Sequence, residues 1–236
     1  MQLIKTKKSL LIIFLSLGLY NTAKSQGNLQ YIDEKLVHFG FSLGFNALDF
    51  GITPSNQIID GKIYQADVSN LIPGFSVGII SDLRLNRYLN LRFTPTLHFG
   101  ERQLSYSCNG VKTNTLSLTS VPISVPIHLK YSAERKGNYR PYLLWGGGSY
   151  IDLGTNNDNP VLLRKLDFYT EFGVGCDLYF SFFKLAPELK FAVGFNNMLV
   201  PLDQRNAGFI ADDDKKLSNA LSKLTSNMLT LSFNFE

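Results

Sequence analysis

Residues 166–180 read LDFYTEFGVGCDLYF, one of the two stretches that indicate the fold most clearly. Every second position is small, polar or charged, as at Asp167, Glu171 and Asp177. The positions between them are mostly large and apolar: Phe168, Phe172, Val174, Leu178 and Phe180. Because successive side chains of a β-strand point to opposite faces, this alternation predicts a long strand with one apolar face.

The same period of two recurs along the chain and predicts eight strands. They are Val37–Phe45, Leu71–Ser81, Leu89–Phe99, Leu116–Tyr131, Tyr139–Leu153, Leu166–Phe180, Phe183–Phe195 and Leu229–Phe235. In the fourth strand the apolar positions change phase after Leu118, which we interpret as a bulge near Thr119 or Ser120. The phase of the fifth strand, which contains three successive glycines (146–148), is not fixed by the sequence.

Prolines inside several predicted strands argue against uninterrupted strands, because each proline removes a backbone donor. We expect the bulge to accommodate Pro122 and Pro126, and we expect strand ends or local bends at Pro95 and Pro187.

Strand length and connection length favour a membrane barrel over a soluble β-sandwich. The strands are longer than the five or six residues usual in globular proteins, and their second face is rich in Gly and Ser. The connections are short near 85–88, 132–138 and 181–182, and long near 51–70, 102–114, 154–165 and 197–225. This alternation is typical of outer-membrane barrels. We therefore predict an all-β fold, an eight-stranded antiparallel transmembrane β-barrel over residues 37–236, with both termini in the periplasm.

The N-terminus has the features of a signal peptide. Lys5, Lys7 and Lys8 precede the apolar run 10–20, which is too short to span a membrane as a helix, and 23–25 resemble a cleavage site. We therefore predict that residues 1–25 are removed and that 26–36 form a periplasmic segment. With Lys24, the leader holds four of the 23 basic residues, so 19 remain against 19 acidic residues. The mature chain is then neutral, and we expect no nucleic-acid partner.

An eight-stranded barrel is filled by side chains, so charges that point inward need partners. From the strand phases we predict an inward structural network of three bases and three acids: Arg92, Lys130, Lys190, Glu171, Asp177 and Glu188. This pattern favours a neutral plug over a polar conduit. The apolar positions of the last strand, which we expect to serve membrane insertion, are Leu229, Leu231, Phe233 and Phe235.

The sequence predicts no catalytic, cofactor-binding or metal site. His38, His98 and His128 lie on three different predicted strands without the spacing of a triad or a metal site. The glycines near 146–148 and 173–175 do not lead into a helix, so a phosphate loop is not expected. The acidic residues 212–214 lack the ligand spacing of calcium loops, and we expect them to begin an amphipathic helix that carries Leu217, Ala220, Leu221 and Leu224.

Several segments resemble the PorT family, called SprT in gliding bacteria. They include FGFSLGFN (39–46) with Asp49-Phe50, GFSVG (74–78) leading to NLRF (90–93), YRPY (139–142), FGVGCD (172–177) leading to FNN (195–197), and FNFE (233–236). The resemblance implies a component of type IX secretion, which exports folded cargo with C-terminal sorting domains. It implies no catalytic residues.

Because the barrel is too narrow for a conduit, the resemblance implies an accessory or assembly role. The expected partners are other secretion components in the outer membrane or periplasm, outer-membrane lipid, and the barrel-assembly machinery during insertion. The segment 26–36 and the turn 132–138, with Glu134, Arg135 and Lys136, could meet periplasmic partners or could be solvated. A surface-binding or adhesin-type barrel and a lipid-modifying enzyme remain as alternatives.

Overall fold

The computed structural model describes residues 28–29, 31–55, 58–59, 62–68, 71–108, 111–154, 161–201 and 218–236. The predicted signal peptide and the acidic residues 212–214 lie outside these ranges. A short 3₁₀ turn, Ile32–Glu34, precedes the first strand. In the described part of the chain, no helix is long and apolar enough to cross a membrane.

The chain forms one antiparallel sheet that closes on itself. Its strands are β1 (Val37–Pro54), β2 (Ile58–Ile59), β3 (Lys62–Val68), β4 (Pro73–Arg84), β5 (Leu89–Phe93), β6 (Thr96–Cys108), β7 (Val111–Ser120), β8 (Pro122–Ser132), β9 (Tyr139–Asp152), β10 (Leu166–Tyr179), β11 (Lys184–Gly194) and β12 (Leu221–Phe235). The first strand, β1, pairs with both β4 and β12, and this double pairing closes the barrel.

The predicted antiparallel barrel is confirmed, but the strand count differs, because two of the eight predicted wall strands are each broken in two. The third wall strand consists of β5 and β6, which are separated at Thr94 and Pro95, and the fourth consists of β7 and β8, which are separated at Val121. The short strands β2 and β3 are additions in the first long connection, where β3 pairs with β6. Pro95 and Pro122 therefore lie at breaks, whereas Pro126 and Pro187 remain inside β8 and β11.

The short connections 85–88, 133–138 and 180–183 lie at one end of the barrel, together with residues 28–29 and 31–36 and Glu236. We call this end the turn end and the opposite end the loop end. The long connections are shorter than predicted, because strands extend into them. Strand β1 continues to Pro54, β6 and β7 occupy most of 102–114 as a hairpin, and β12 begins at Leu221.

Burial in this barrel is the reverse of that in a soluble sandwich. The outward side chains of Phe39, Ile79 and Trp145 are 73%, 66% and 58% exposed, whereas the inward Asp82 and Arg92 are at most 1% exposed. An apolar exterior around a polar interior is the arrangement expected of a barrel surrounded by lipid.

The interior changes from polar to apolar towards the loop end. There an apolar cluster, which we call the loop-end core, joins strands to the segments 161–163 and 198–199; its buried members are Phe50, Leu104, Tyr106, Leu118, Val161, Leu163, Met198, Leu199, Ala220, Leu221 and Leu224.

Two predictions fail because of the loop-end core. Leu118, Ser120 and Pro122 are all buried on the same side of the wall, so the fourth wall strand keeps its phase and has no bulge at Thr119 or Ser120. Leu221 and Leu224 belong to strand β12 rather than to the predicted helix; residues 218 and 219 are helical, and Leu217 lies outside the described ranges. In both places the inward positions become apolar, which removes the contrast between the two faces that the sequence pattern relies on.

Candidate functional site

The structure places all six predicted network charges inside the barrel. Their exposed fractions are between 1% and 7%; the residues are Arg92, Lys130, Glu171, Asp177, Glu188 and Lys190. On each strand these charges occupy one set of alternate positions and the outward apolar side chains occupy the other, as the strand period of two requires. The contacts among these residues form two connected groups.

The first group centres on Arg92, whose guanidinium contacts three carboxylates. The nitrogen-to-oxygen distances are 2.8 Å to Asp82, 3.2 Å to Glu188 and 2.7 Å to Glu236. Strand β5, which carries Arg92, and β11, which carries Glu188, lie on opposite sides of the eight-membered ring of wall strands. The Arg92–Glu188 contact therefore spans the lumen.

Two further lysines offset part of the negative charge at the turn end. Lys184 lies 2.6 Å from Glu236, and Lys130 lies 2.8 Å from Asp177. Burial opposes the ionisation of Glu236, but the positive charges of Arg92, Lys184 and Lys130 outweigh it and lower the pKa of this carboxyl below its ordinary value of 4.5.

Tyr142 connects these pairs. Its hydroxyl donates to Glu188 at 2.7 Å, and the Nζ of Lys130 lies 4.0 Å from the centre of its ring. Gly175 makes this position possible, since a Cβ there would lie 2.4 Å from Cζ of Tyr142.

The second group lies towards the middle of the barrel. Lys190 is 3.8 Å from Glu171 and 3.6 Å from Glu188, so it links the two groups. His128 Nε2 lies 2.6 Å from Glu171 Oε2. These contacts connect β8, β10 and β11 across the interior, and they fill the lumen with paired polar side chains.

Sequence analysis missed three charged members of the network: Asp82, Lys184 and Glu236. Asp82 continues the even-numbered inward face of β4 past the predicted strand end at Ser81, and Glu236 follows Ser232 and Asn234 in the same phase. Extending these two periods by one residue would have found Asp82 and Glu236, whereas Lys184 already lies inside the predicted strand Phe183–Phe195, in phase with Glu188 and Lys190. Their partners could not be found this way, because pairing across the lumen depends on the closed geometry.

In the part of the chain that the structure describes, His98 is the histidine that has a hydrogen-bond contact with a serine. Its Nε2 lies 2.9 Å from Ser124 Oγ, and both side chains are buried. A hydrolase triad would need an acid on the other ring nitrogen. Within the described ranges, Nδ1 of His98 has no hydrogen-bond partner. The geometry therefore gives no support to nucleophilic catalysis here. His38, by contrast, contacts the carbonyl of Ile32 at 2.6 Å.

Arg102 lies buried between the polar lumen and the loop-end core. Its Nη2 donates to Ser226 Oγ at 2.8 Å, and its guanidinium lies 4.8 Å from the ring centre of Phe50. Nε and Nη1 have no hydrogen-bond partner in the described part of the chain, and no carboxylate there lies within ion-pair distance. Arg102 is thus a buried cation in a setting quite unlike that of Arg92.

The N-terminal segment is folded onto the turn end. Asp33 accepts a hydrogen bond from the hydroxyl of Tyr179 at 2.8 Å and lies 3.5 Å and 3.6 Å from the guanidinium groups of Arg135 and Arg140. Arg135 also donates to the carbonyls of Asn28 and Leu29 and stacks on the ring of Tyr179 at 3.6 Å. Arg135 therefore holds the chain's own segment, whereas Glu134 and Lys136 are exposed.

The apolar positions of β12 lie where the pattern placed them. Leu229 and Leu231 are 43% and 42% exposed on the outer surface. Phe235 stacks on Phe41 with ring centres 4.9 Å apart and contacts Phe183, so it joins β12 to both neighbouring walls. Their part in membrane insertion stays a prediction.

No group of three or more His, Cys, Asp or Glu residues suited to a metal ion occurs among the described ranges. Cys176 is a free thiol.

A family model described as "Outer membrane protein beta-barrel domain" matches residues 23–200. Two solved structures are similar in fold. Neisserial surface protein A is 11% identical, with a TM-score of 0.42 over 85% of this chain and 98% of that chain. The outer membrane protein AlkL, solved by solid-state NMR in DMPC bilayers, is 10% identical, with a TM-score of 0.38 over 92% of this chain and 95% of that chain. No curated protein matches the chain in sequence.

Proposed function

This chain belongs to the outer membrane protein beta-barrel domain family, and from that premise we propose that it is a non-enzymatic accessory or assembly component of type IX protein secretion. In this role it is required for the export of cargo with C-terminal sorting domains. The resemblance of its strand segments to the PorT family supports the choice of pathway. The proposed orientation places the turn end and both termini in the periplasm.

The observation that carries the accessory role is the contact between opposite walls. Arg92 reaches Glu188 across the lumen at 3.2 Å, and the groups around it are buried and paired. A folded cargo could pass only if these ion pairs separated and the closed sheet opened, which is energetically prohibitive. A barrel with this interior contributes to secretion through its surfaces.

The turn end supports contact with periplasmic partners. The segment containing Asp33 is fixed by Arg135 and Arg140, so the barrel presents an ordered surface there. Beside it lies a polar hollow of about 380 Å³ lined by Glu34, Arg84, Arg87 and Tyr88 among others. Ordered charged surfaces favour selective recognition, because they require no further ordering on binding.

A comparison of secreted proteins tests the proposal. Strains with the gene deleted, with it restored, and with it restored carrying a Glu34→Lys, Arg84→Glu double substitution would be grown in parallel. We expect loss of sorting-domain cargo from the medium on deletion, recovery with the wild type, and poor recovery with the double variant at equal barrel abundance. Normal export in the deletion strain would disprove the secretion role.

The loop-end core favours a surface-binding function as the second candidate. Its buried residues, such as Leu104, Leu118 and Leu224, fix the β6–β7 hairpin beyond the polar lumen. A folded hairpin on this side could present a binding surface. Shortening residues 103–117 would then abolish ligand binding while cargo export continued; unchanged binding would argue against this alternative.

A further inference from the structure

A groove of about 430 Å³ runs over the outer surface of the barrel where β8 to β12 meet. Its main lining side chains point outward: Tyr131, Leu143, Trp145, Phe172, Val174 and Leu189. Trp145 and Phe172 stack with ring centres 6.4 Å apart and form part of its floor.

The position of the groove limits what can occupy it. It lies within the exposed apolar surface, where Leu143, Trp145 and Phe172 are 58%, 58% and 54% exposed. The family places this surface in the outer membrane, so the groove faces hydrocarbon. Its lining is almost wholly apolar and therefore fits an acyl chain.

The basic side chain of Lys136 lies at the turn end of the same wall. In the turn between β8 and β9, Glu134 lies 3.4 Å from Arg87, and Arg135 holds Asp33. Lys136 is exposed and makes no ion pair with any residue that the structure describes. The neighbouring turn 180–183 carries no charged residue before Lys184, whose amine is paired inside the barrel.

The spacing along β9 matches the groove to this lysine. Lys136 bridges to Tyr139, and Tyr131 pairs with Leu143 at the rim of the groove. Leu143 is the fourth residue after Tyr139, which places it about 13 Å further along the strand. A lipid phosphate at Lys136 would place its acyl chain over Leu143 and Trp145.

We propose that this groove is a binding site for an anionic phospholipid, with one acyl chain against Trp145 and Phe172 and the phosphate beside Lys136. The site goes beyond general solvation by lipid, because it combines a recess with an unpaired cation. It does not depend on the secretion role.

Trp145, the only tryptophan in the chain, provides the assay. The barrel would be reconstituted in phosphatidylcholine vesicles containing increasing fractions of phosphatidylglycerol with brominated acyl chains, which quench tryptophan on contact. A parallel series would contain brominated phosphatidylcholine. We expect an apparent preference for the anionic lipid of about fivefold, equivalent to the ~1 kcal/mol of one basic residue at an anionic lipid surface.

Two matched pairs of variants test the two parts of the site. Lys136→Gln should abolish the preference, whereas Lys35→Gln should not, because Lys35 precedes β1 on the opposite side of the barrel from β9. Val174→Phe, which fills the groove, should reduce the preference, whereas Ile79→Phe on the opposite wall should leave it unchanged.

Several results would overturn the proposal. Equal quenching by the anionic and the zwitterionic lipid would show that the groove is bathed only by bulk lipid. Equal loss of preference in Lys35→Gln and Lys136→Gln would show a general charge effect. Absence of quenching by either lipid would show that the groove is closed to lipid, as it would be if a protein segment occupied it.

Discussion

Two buried arginines in this barrel have opposite surroundings, and replacing each by methionine gives a direct test of how the interior is stabilised. In Arg92→Met, the carboxylates of Asp82, Glu188 and Glu236 lose their shared cation. Removal of one partner from a buried ion pair costs about 3–5 kcal/mol, and we expect a loss of free energy of unfolding in that range.

Arg102→Met should cost far less. The substitution removes a single hydrogen bond to Ser226, worth about 1 kcal/mol, and leaves no carboxylate without its ion pair. It also replaces a buried cation with an apolar side chain beside Phe50, which offsets part of that loss. The expected change in the free energy of unfolding is within about 1 kcal/mol.

Urea unfolding of the reconstituted barrel, followed by the emission of Trp145, measures both changes. This residue is 58% exposed on the outer surface, so unfolding transfers it from lipid to water and shifts its emission to longer wavelength. Arg92→Lys serves as a further variant that keeps the charge but not the forked geometry, and it should fall between wild type and Arg92→Met. If Arg92→Met were as stable as wild type, or if Arg102→Met lost as much as Arg92→Met, the role assigned to the ion-pair network would be refuted.

Three further predictions follow from other contacts. A double-mutant cycle with Lys130→Met and Asp177→Asn should give a coupling energy of about 0.5–3 kcal/mol in the same unfolding assay, and additive effects would contradict the 2.8 Å pair. Arg135→Ala should lower the hydrogen-exchange protection of residues 31–36 without changing that of the strands, and Lys136→Ala should change neither; unchanged protection in Arg135→Ala would contradict the docking of this segment. Because the pKa of Glu236 is lowered in the folded barrel, its contribution to stability is complete above its ordinary pKa and is lost as the pH falls through the folded value. Wild type should therefore lose more stability than Glu236→Gln when the pH is lowered from about 5 to about 3, and equal losses would contradict the pairing.

The architecture could be predicted from the sequence because the lipid-facing and lumen-facing residues differ strongly in the middle of each strand. In 166–180, large apolar residues alternate with Asp, Glu and Gly, and the structure places these on opposite faces. Beyond the polar lumen, both faces become apolar. Leu118 was therefore assigned to the wrong face of its strand, and Leu221 and Leu224 were assigned to a helix instead of to β12.

The candidate site was predictable as a set of residues but not as a set of contacts. The strand phase placed Arg92, Glu188 and Lys190 inside, but it could not show that Arg92 would meet three carboxylates. The contacts with Glu188 and Glu236 depend on strand tilt, register and closure, because these residues lie 96 and 144 positions from Arg92 in the chain. The docking of Asp33 on Arg135 was missed for the same reason.

The placement of Glu236 has a consequence for the order in which the barrel is built. The carboxylates around Arg92 come from β4, from β11 and from the residue after β12, which are brought together only when β12 meets β1. An incompletely closed sheet would separate Arg92 from Glu188 and Glu236 in a poorly hydrated interior, at a high electrostatic cost. These two contacts therefore form only when the sheet closes, so this part of the polar interior stabilises the complete barrel and not an open sheet. The ion pairs of Arg92 with Glu188 and Glu236 thus favour closure of the seam between β1 and β12, in addition to the backbone hydrogen bonds of that seam.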